Sequence, residues 1–235
     1  MKPVAIFRHA QLEGPGLLAE FLDARQIPFQ VIAIDAGDAV PHSAASYSGL
    51  AFMGGPMSVN DDLPWIFDAC ARIREAAALG IPVLGHCLGG QLISKALGGE
   101  VSKNPVVEIG WGKVVVSGNA IAQAWFGDLQ CFDAFHWHGE TFSLPPGAVH
   151  ILSSEHCANQ GYAIGPHLAL QCHVEMTERM ISDWSEVGRD EIARGRSSPA
   201  VQSADAMVQQ AASSLPQLHE AAGRLYSRWI EGLRG

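Results

Sequence analysis

The chain has 235 residues, 48% of them apolar and 17% charged, with a formal net charge of -9. This composition excludes a disordered or fibrous polymer, and with only 15 Lys plus Arg and no basic run to track a phosphate backbone, nucleic acid is not an expected partner. No stretch is long and apolar enough to span a bilayer, and the apolar run Val4–Phe7 is too short for a secretory signal.

Val4–Phe7 is expected to be a strand, Gly16–Arg25 has helical spacing, and Phe29–Ile34 and Leu50–Met53 read as two further strands. Leu63–Leu79 is a helix candidate with Leu63, Ile66, Phe67, Cys70, Ile73 and Ala77 on one face; Gly80 ends it and Pro82 opens the next strand at Val83-Leu84. Leu88–Leu97 is helix-compatible. Strands alternating with helices of this length imply βαβ units. Val106–Val116, Phe132–Trp137, Val149–Leu152, Tyr162–Ile164 and Leu168–Cys172 follow as strands separated by Pro/Gly turns, an antiparallel extension of the parallel core. From Met176 the pattern turns helical, breaks at Arg194–Pro199, and resumes over Ala204–Leu233 as one or two helices around Pro216. The expectation is a single domain over 1–235, with a core of about 4–185 and a helical extension of about 186–235.

Cys70, Cys87, Cys131, Cys157 and Cys172 form no C-x-x-C pair, and their odd number points to free thiols in a reducing, cytoplasmic compartment. Most free cysteines are small buried hydrophobes. Cys87 differs in context: the run Ile81–Leu84 stops at Gly85-His86-Cys87-Leu88-Gly89 and a helical pattern starts at once. Strand, tight turn and helix with a nucleophilic atom at the apex is the geometry of a nucleophile elbow, and the flanking glycines are expected to supply backbone freedom. The N–H of the next residue is then free to bind an oxyanion. In an open parallel sheet such a turn lies outside the carboxyl ends of the strands, where catalytic groups gather.

Three other segments fit this cysteine. In Leu170-Gln171-Cys172-His173-Val174-Glu175, residues two apart in extended chain share a side, so Glu175 can bond one imidazole nitrogen of His173 and aim the other at a nucleophile. A structural histidine beside a surface carboxylate is the bland reading of that pair. Phe52-Met53-Gly54-Gly55-Pro56 follows a strand and can bring a backbone N–H close to a ligand; it contains neither G-x-G-x-x-G nor G-K-[ST], so it is not a phosphate loop. Phe135-His136-Trp137-His138-Gly139-Glu140 places His136 and His138 on one side of a strand. Together with His156, Cys157, His173 and Glu175 these supply zinc-type ligands, but their spacing matches no compact zinc signature, and no metal or cofactor is expected. His9, His42, His150 and His167 have no evident partners in the sequence.

Taken together these segments resemble the class I, triad-type glutamine amidotransferases. Gly85-His86-Cys87-Leu88-Gly89-Gly90-Gln91 is similar to that family's G-x-C-x-G-x-Q signature, His173-Val174-Glu175 to its H-P-E, Gly54-Gly55-Pro56 to its oxyanion loop, and His138-Gly139-Glu140 to its H-G-D or H-G-F loop, in order over roughly residues 4–185. The resemblance implies a three-layer, flavodoxin-like open α/β sheet with helices on both faces. It also implies Cys87 as nucleophile, His173 as general base and acid, and Glu175 as orienting carboxylate. The N–H groups of Gly55 and Leu88 would form the oxyanion hole, with Gln91, Trp137, His138 and Gly139 holding the substrate. Val174 replaces the family's proline, and Glu140 its usual Asp or Phe.

The implied reaction is hydrolysis of glutamine to glutamate and ammonia through a thioester, with the ammonia passed to a separate synthase subunit. A self-contained hydrolase of γ-glutamyl amides or peptides fits the same motifs. Two readings from other classes compete. A flavodoxin-like stress or redox protein also carries an elbow cysteine but lacks the late His-x-Glu, and a zinc module would contain bound metal.

Overall fold

A computed structural model describes residues 1–234. Strand β1 (Val4–Arg8) runs between two parallel neighbours, β2 (Phe29–Ala33) and β3 (Gly49–Phe52), and β3 pairs in parallel with β4 (Val83–His86). Helix α1 (Gly16–Ala24) connects β1 to β2, α2 (Pro64–Leu79) connects β3 to β4, and α3 (Leu88–Ala96) leaves β4. Alternate residues of β1 serve opposite layers: Val4 and Ile6 pack with Leu18 and Leu22 of α1, Ala5 and Phe7 with Ile66 and Ile73 of α2. A strand buried on both faces reads as a continuous apolar run, which is why β1 and β3 are legible in the sequence.

The antiparallel half follows. β5 (Val101–Val116) pairs with β6 (Cys131–Phe142) and with β7 (Val149–Ser154); β8 (Gly161–Ile164) and β9 (His167–Leu170) continue the sheet, and β9 docks in parallel on β4. The order is thus β2-β1-β3-β4-β9-β8-β7-β5, with β10 (Ala200–Val201) parallel to β5 at the edge and β6 on a side branch. The mixed sheet, parallel in its core and antiparallel in its extension with helices on both faces, agrees with the expected fold class. Among the described residues no helix is long and apolar enough to cross a membrane.

Several elements differ from expectation: β6 runs on to Phe142, five residues past Trp137, and β10 was not expected. The buried face of α2 is Ile66, Ala69, Cys70, Ile73 and Ala76, while Phe67 is 62% exposed. Helical period locates an apolar stripe but not which of its edges turns inward, and here the small alanines admit the sheet. β5 starts five residues before the expected Val106 and spans a register shift between Lys103 and Glu108, where the Ser102–Pro105 segment has no apolar strand pattern. Helix α4 (Ala120–Phe126) was not expected; its signal is Asn119, whose side chain accepts from Ala122 N. After α5 (Glu178–Val187) the chain continues directly into α6 (Arg189–Gly195), which takes in Arg194 and Gly195 of the expected polar break.

Helix α7 (Ala204–Ile230) carries Pro216 inside one continuous span, and its Met207, Leu218, Leu225, Tyr226 and Trp229 join the same apolar cluster as α1 and the sheet. We propose that the described chain folds as one unit. Burying five large apolar side chains is worth on the order of 10 kcal/mol, comparable to the entire stability of a domain, about 5–15 kcal/mol. Removing residues 204–235 is expected to abolish cooperative urea unfolding followed by tryptophan fluorescence; a sharp transition in the shortened chain would contradict this.

Burial also sets an acid limit. His9, His136 and His167 are held down at about 4 from an ordinary 6.5 by burial, and the carboxyl of Glu13 is pushed by burial up to about 7. A base with a depressed folded pKa takes up its proton only on unfolding, so between pH 6.5 and 4.5 the three histidines favour the unfolded state. Glu13, protonated in the folded state and ionised in the unfolded one, opposes them by one proton. His86, also buried and held below the ordinary range, acts in the same direction as the three, so a net uptake of at least two protons (three less one, before His86) predicts that stability falls by about 3 kcal/mol per pH unit or more as the pH drops through this window. Urea melts at pH 6.5, 5.5 and 4.5 test this, and a flat profile would refute it.

Candidate active site

The turn at Cys87 is strained. Cys87 has φ 49° and ψ -107°, a positive-φ conformation that a side chain resists, at a cost of order 1–3 kcal/mol. The glycines around it do not share that conformation, contrary to the expectation that they provide backbone freedom. They provide closeness instead. A Cβ on Gly89 would overlap the Phe52 carbonyl, one on Gly90 the Leu170 carbonyl, and one on Gly85 the main chain of Gly89. The start of α3 is therefore pressed onto the ends of β3 and β9, and Cys87 N donates to Leu170 O at 2.8 Å.

Beyond β9 the chain crosses in front of that turn. His173 N donates to Phe135 O at 2.8 Å, forming a single bridge to β6. His173 Nδ1 donates to Glu175 Oε1 at 2.6 Å, both side chains being buried. That bond fixes the ring orientation and leaves Nε2 as the other functional atom. Burial alone would lower the His173 pKa, but the charge of Glu175 and hydrogen bonds to Cys87 and Glu175 hold it well above the usual histidine range. Against the upward pull of burial, His86 and His173 hold Glu175 down at about 2. The pair is therefore an imidazolium–carboxylate couple placed beside a thiol.

A cavity of about 690 Å³ opens over this group. Cys87, Leu88, Gln91, Gly55, Trp137, His138, Gly139 and His173 all border it, and Glu175 lies behind His173. Gly55 abuts the Leu88 side chain so closely that a Cβ has no room. Gln91 Nε2 donates to Gln171 Oε1 at 3.2 Å, and Gln171 Nε2 to Cys87 Sγ at 3.5 Å, so the Gln91 amide reaches the sulfur through a neighbour. Trp137 O lies 3.9 Å from Cys87 Sγ. The His138 ring is engaged away from the sulfur, its Nδ1 donating to Glu140 O at 2.9 Å and its Nε2 3.0 Å from Glu108 Oε2. Glu140 in turn accepts from Ser58 Oγ at 3.1 Å, joining the end of β6 to the Gly54–Val59 segment.

The ligand types that sequence spacing set aside are regrouped by the fold. His156, Cys157, His173 and Glu175 do not assemble with His136 and His138; Glu108 does, with one potential ligand atom from each of Glu108, His136 and His138 within 4.8 Å of the others. Gln160 Nε2 donates to Glu108 Oε2 at 2.8 Å and Ser154 Oγ to Glu108 Oε1 at 2.9 Å, so internal donors already serve the carboxylate and the cluster stiffens β6 behind the cavity.

Several site residues escaped the sequence reading. Glu13, on the loop after β1, borders the cavity, and its carboxyl flanks Gly54 opposite the His173 ring. Trp184 of α5 stands edge-on to His173 with centroids 4.9 Å apart. His9, without a partner in sequence, lies within 3.1 Å of Met53 O and Gly54 O through Nδ1 and stacks on Trp65, bracing the Gly54-Gly55 segment. His150 and His167 also have partners, Ser117 Oγ and the Val83 N–H respectively. Only Gln171 carried a signal, its position two residues before His173.

Residues 17–181 match the family model "Glutamine amidotransferase class-I". Among curated proteins the chain is 29% identical to the glutamine amidotransferase-like protein YfeJ of Salmonella typhimurium, over 79% of this chain and 80% of that one. It is also 29% identical to a GMP synthase [glutamine-hydrolyzing] of Aromatoleum aromaticum, but spans about a third of it, 34%. Among solved structures, a glutamine amidotransferase of Methylobacillus flagellatus superposes with TM-score 0.96 at 45% identity, covering 100% of this chain and 96% of that one. One from Thermotoga maritima gives 0.87 at 26%, covering 97% and 98%. With the model match spanning well over half its length, the chain belongs to the class-I glutamine amidotransferase family.

Proposed function

We propose that the protein hydrolyses the side-chain amide of glutamine to glutamate and ammonia through a covalent intermediate on Cys87. The observation that carries this reading is the buried 2.6 Å His173–Glu175 hydrogen bond facing the same cavity as Cys87. The attacking species of a cysteine nucleophile is its thiolate, and the His173 ring is placed to exchange the proton.

The thiolate adds to the carboxamide carbon, forming the C–S bond and pushing charge onto oxygen. The N–H groups of Gly55 and Leu88 receive that oxyanion. As the C–N bond breaks, His173 gives its Nε2 proton to the departing ammonia, leaving a γ-glutamyl thioester and a neutral ring. The ring then removes a proton from water, hydroxide adds to the thioester carbon, the C–S bond breaks, and glutamate leaves with the thiolate and imidazolium restored. Glu175 holds the ring in one tautomer throughout. Gln91, Trp137, His138 and Gly139 hold the glutamyl part, the last three through main chain because the His138 ring is engaged with Glu108 and Glu140.

The chain spans about a third (34%) of the Aromatoleum aromaticum GMP synthase that it matches. In the amidotransferase form of the reading, a separate synthase subunit receives the ammonia. In the self-contained form no synthase is needed and the substrate is a γ-glutamyl amide or peptide; water hydrolyses the thioester in both forms, and a cavity of about 690 Å³, larger than a glutamine side chain needs, leaves room for the amine part of such a substrate. No cofactor takes part in either.

Cys87→Ala is expected to abolish glutamate release, measured with a coupled glutamate dehydrogenase assay; turnover at the native rate in that variant would sink the reading. Glu175→Gln, which keeps the shape but loses the charge, is expected to lower kcat by about 10³–10⁴ with KM nearly unchanged.

A further inference from the structure

The reaction chemistry divides the cavity into two sides. His173 must deliver its proton to the departing nitrogen, so any substituent on that nitrogen lies on the His173 side, away from the glutamyl contacts at Gln91 and the β6 main chain, where the Trp137 and Trp184 rings stand. Ammonia leaves nothing there. Yet that side is built. Trp184 stands 4.9 Å from His173, and Trp137 lies 6.0 Å from Trp184, with its plane at 89°.

Both indoles have their polar edges already bound. Trp184 Nε1 donates to Leu12 O at 2.9 Å and Trp137 Nε1 to Glu191 Oε2 at 2.6 Å. Ring carbon is what remains to meet a ligand. Gly188 packs so tightly on the Trp137 ring that a Cβ would overlap it, which locks the indole against the α5–α6 junction. At the mouth, Leu12 is 39% exposed and Val187 is 71% exposed, two apolar side chains bordering the same cavity. Rigid aromatic walls with satisfied polar tips bind apolar groups at little entropic cost. The volume, about 690 Å³, falls among cavities of roughly 300–1,000 Å³ that enclose whole small-molecule ligands. Glu191 and Arg194, one charge of each sign, also border the cavity, so no net charge there rewards an ionic substituent over an apolar one.

We propose that the walls formed by Leu12, Trp137, Trp184 and Val187 are a leaving-group subsite, and that the preferred substrates are γ-glutamyl amides of apolar, aromatic or aralkyl amines rather than glutamine. This rests on the thioester reading above. Cys87 Sγ bonds to the γ-carbonyl carbon, the C–N bond breaks, His173 protonates the nitrogen, and the intact amine departs; water completes the cycle as before, with no oxidant or further reactant.

The test compares γ-glutamyl benzylamide, glutamine and γ-glutamylglycine by glutamate release from the purified full chain. Benzylamine and ammonia have conjugate acids of nearly equal acidity, so leaving-group chemistry is matched and a difference reports binding. The benzylamide is expected to exceed glutamine in kcat/KM by roughly 10- to 100-fold, the worth of burying one aromatic ring, with the gain mainly in KM, and γ-glutamylglycine is expected to fall below the benzylamide. Val187→Asp, at an exposed position that folding tolerates, is expected to reduce the benzylamide-to-glutamine ratio at least about fivefold. Glutamine turned over as well as or better than the benzylamide, γ-glutamylglycine preferred to it, or a ratio indifferent to Val187→Asp would overturn the subsite and leave the thioester chemistry standing. Turnover of none of the three compounds would overturn both.

Discussion

The site depends on one unfavourable backbone conformation, that of Cys87. Nothing local stabilises φ 49° in a residue with a Cβ; the surrounding structure holds it there. Three features do so together: the hydrogen bond from Cys87 N to Leu170 O, the seating of Gly89 and Gly90 on the ends of β3 and β9, and the burial of Leu88 and Leu92 under α2. Strain of this kind persists only where neighbours over-determine it. The result is a thiol at the end of β4 that borders the cavity together with Leu88 at the start of α3.

Around the thiol the protein sets charge by burial and pairing. His9, His136 and His167 are buried without an adequate counter-charge and are held neutral to about pH 4. His173, equally buried, is kept charged because Glu175 lies 2.6 Å away. His86, 3.7 Å from the other oxygen of Glu175, is nonetheless held below the ordinary range by burial, so it is the short direct hydrogen bond, not the mere nearness of a carboxylate, that separates His173 from the other buried histidines. Placing that carboxylate two residues along an extended segment makes the arrangement cheap to encode, since a single strand end orients both groups.

The parts of the site carried within short segments were legible. The elbow at Cys87, the His173-Val174-Glu175 spacing and the Gly54-Gly55 loop are each defined by neighbours within a few residues. Their chemistry follows from period and turn geometry. The parts assembled across the chain were not. Glu13 and Trp184 meet His173 from sequence distances of more than a hundred residues and from a few residues beyond the motif, respectively, and neither is marked by any local pattern. Glu108 joins His138 because the β5–β6 pairing, past its register shift, sets the two opposite each other. His9 looked incidental because its partners are backbone carbonyls of another strand.

By itself the sequence determined the alternation of strands and helices, the apex position of Cys87 and the pairing of His173 with Glu175, because each depends on periodicities of two or 3.6 residues and on the chemistry of adjacent groups. Only the tertiary structure decided what the glycines around Cys87 do, which buried histidines are neutral, and how the departing side of the cavity is walled. Those depend on the approach of β3, β9 and α5 to one point. Distances between segments remote along the chain are set by packing, which no local pattern records.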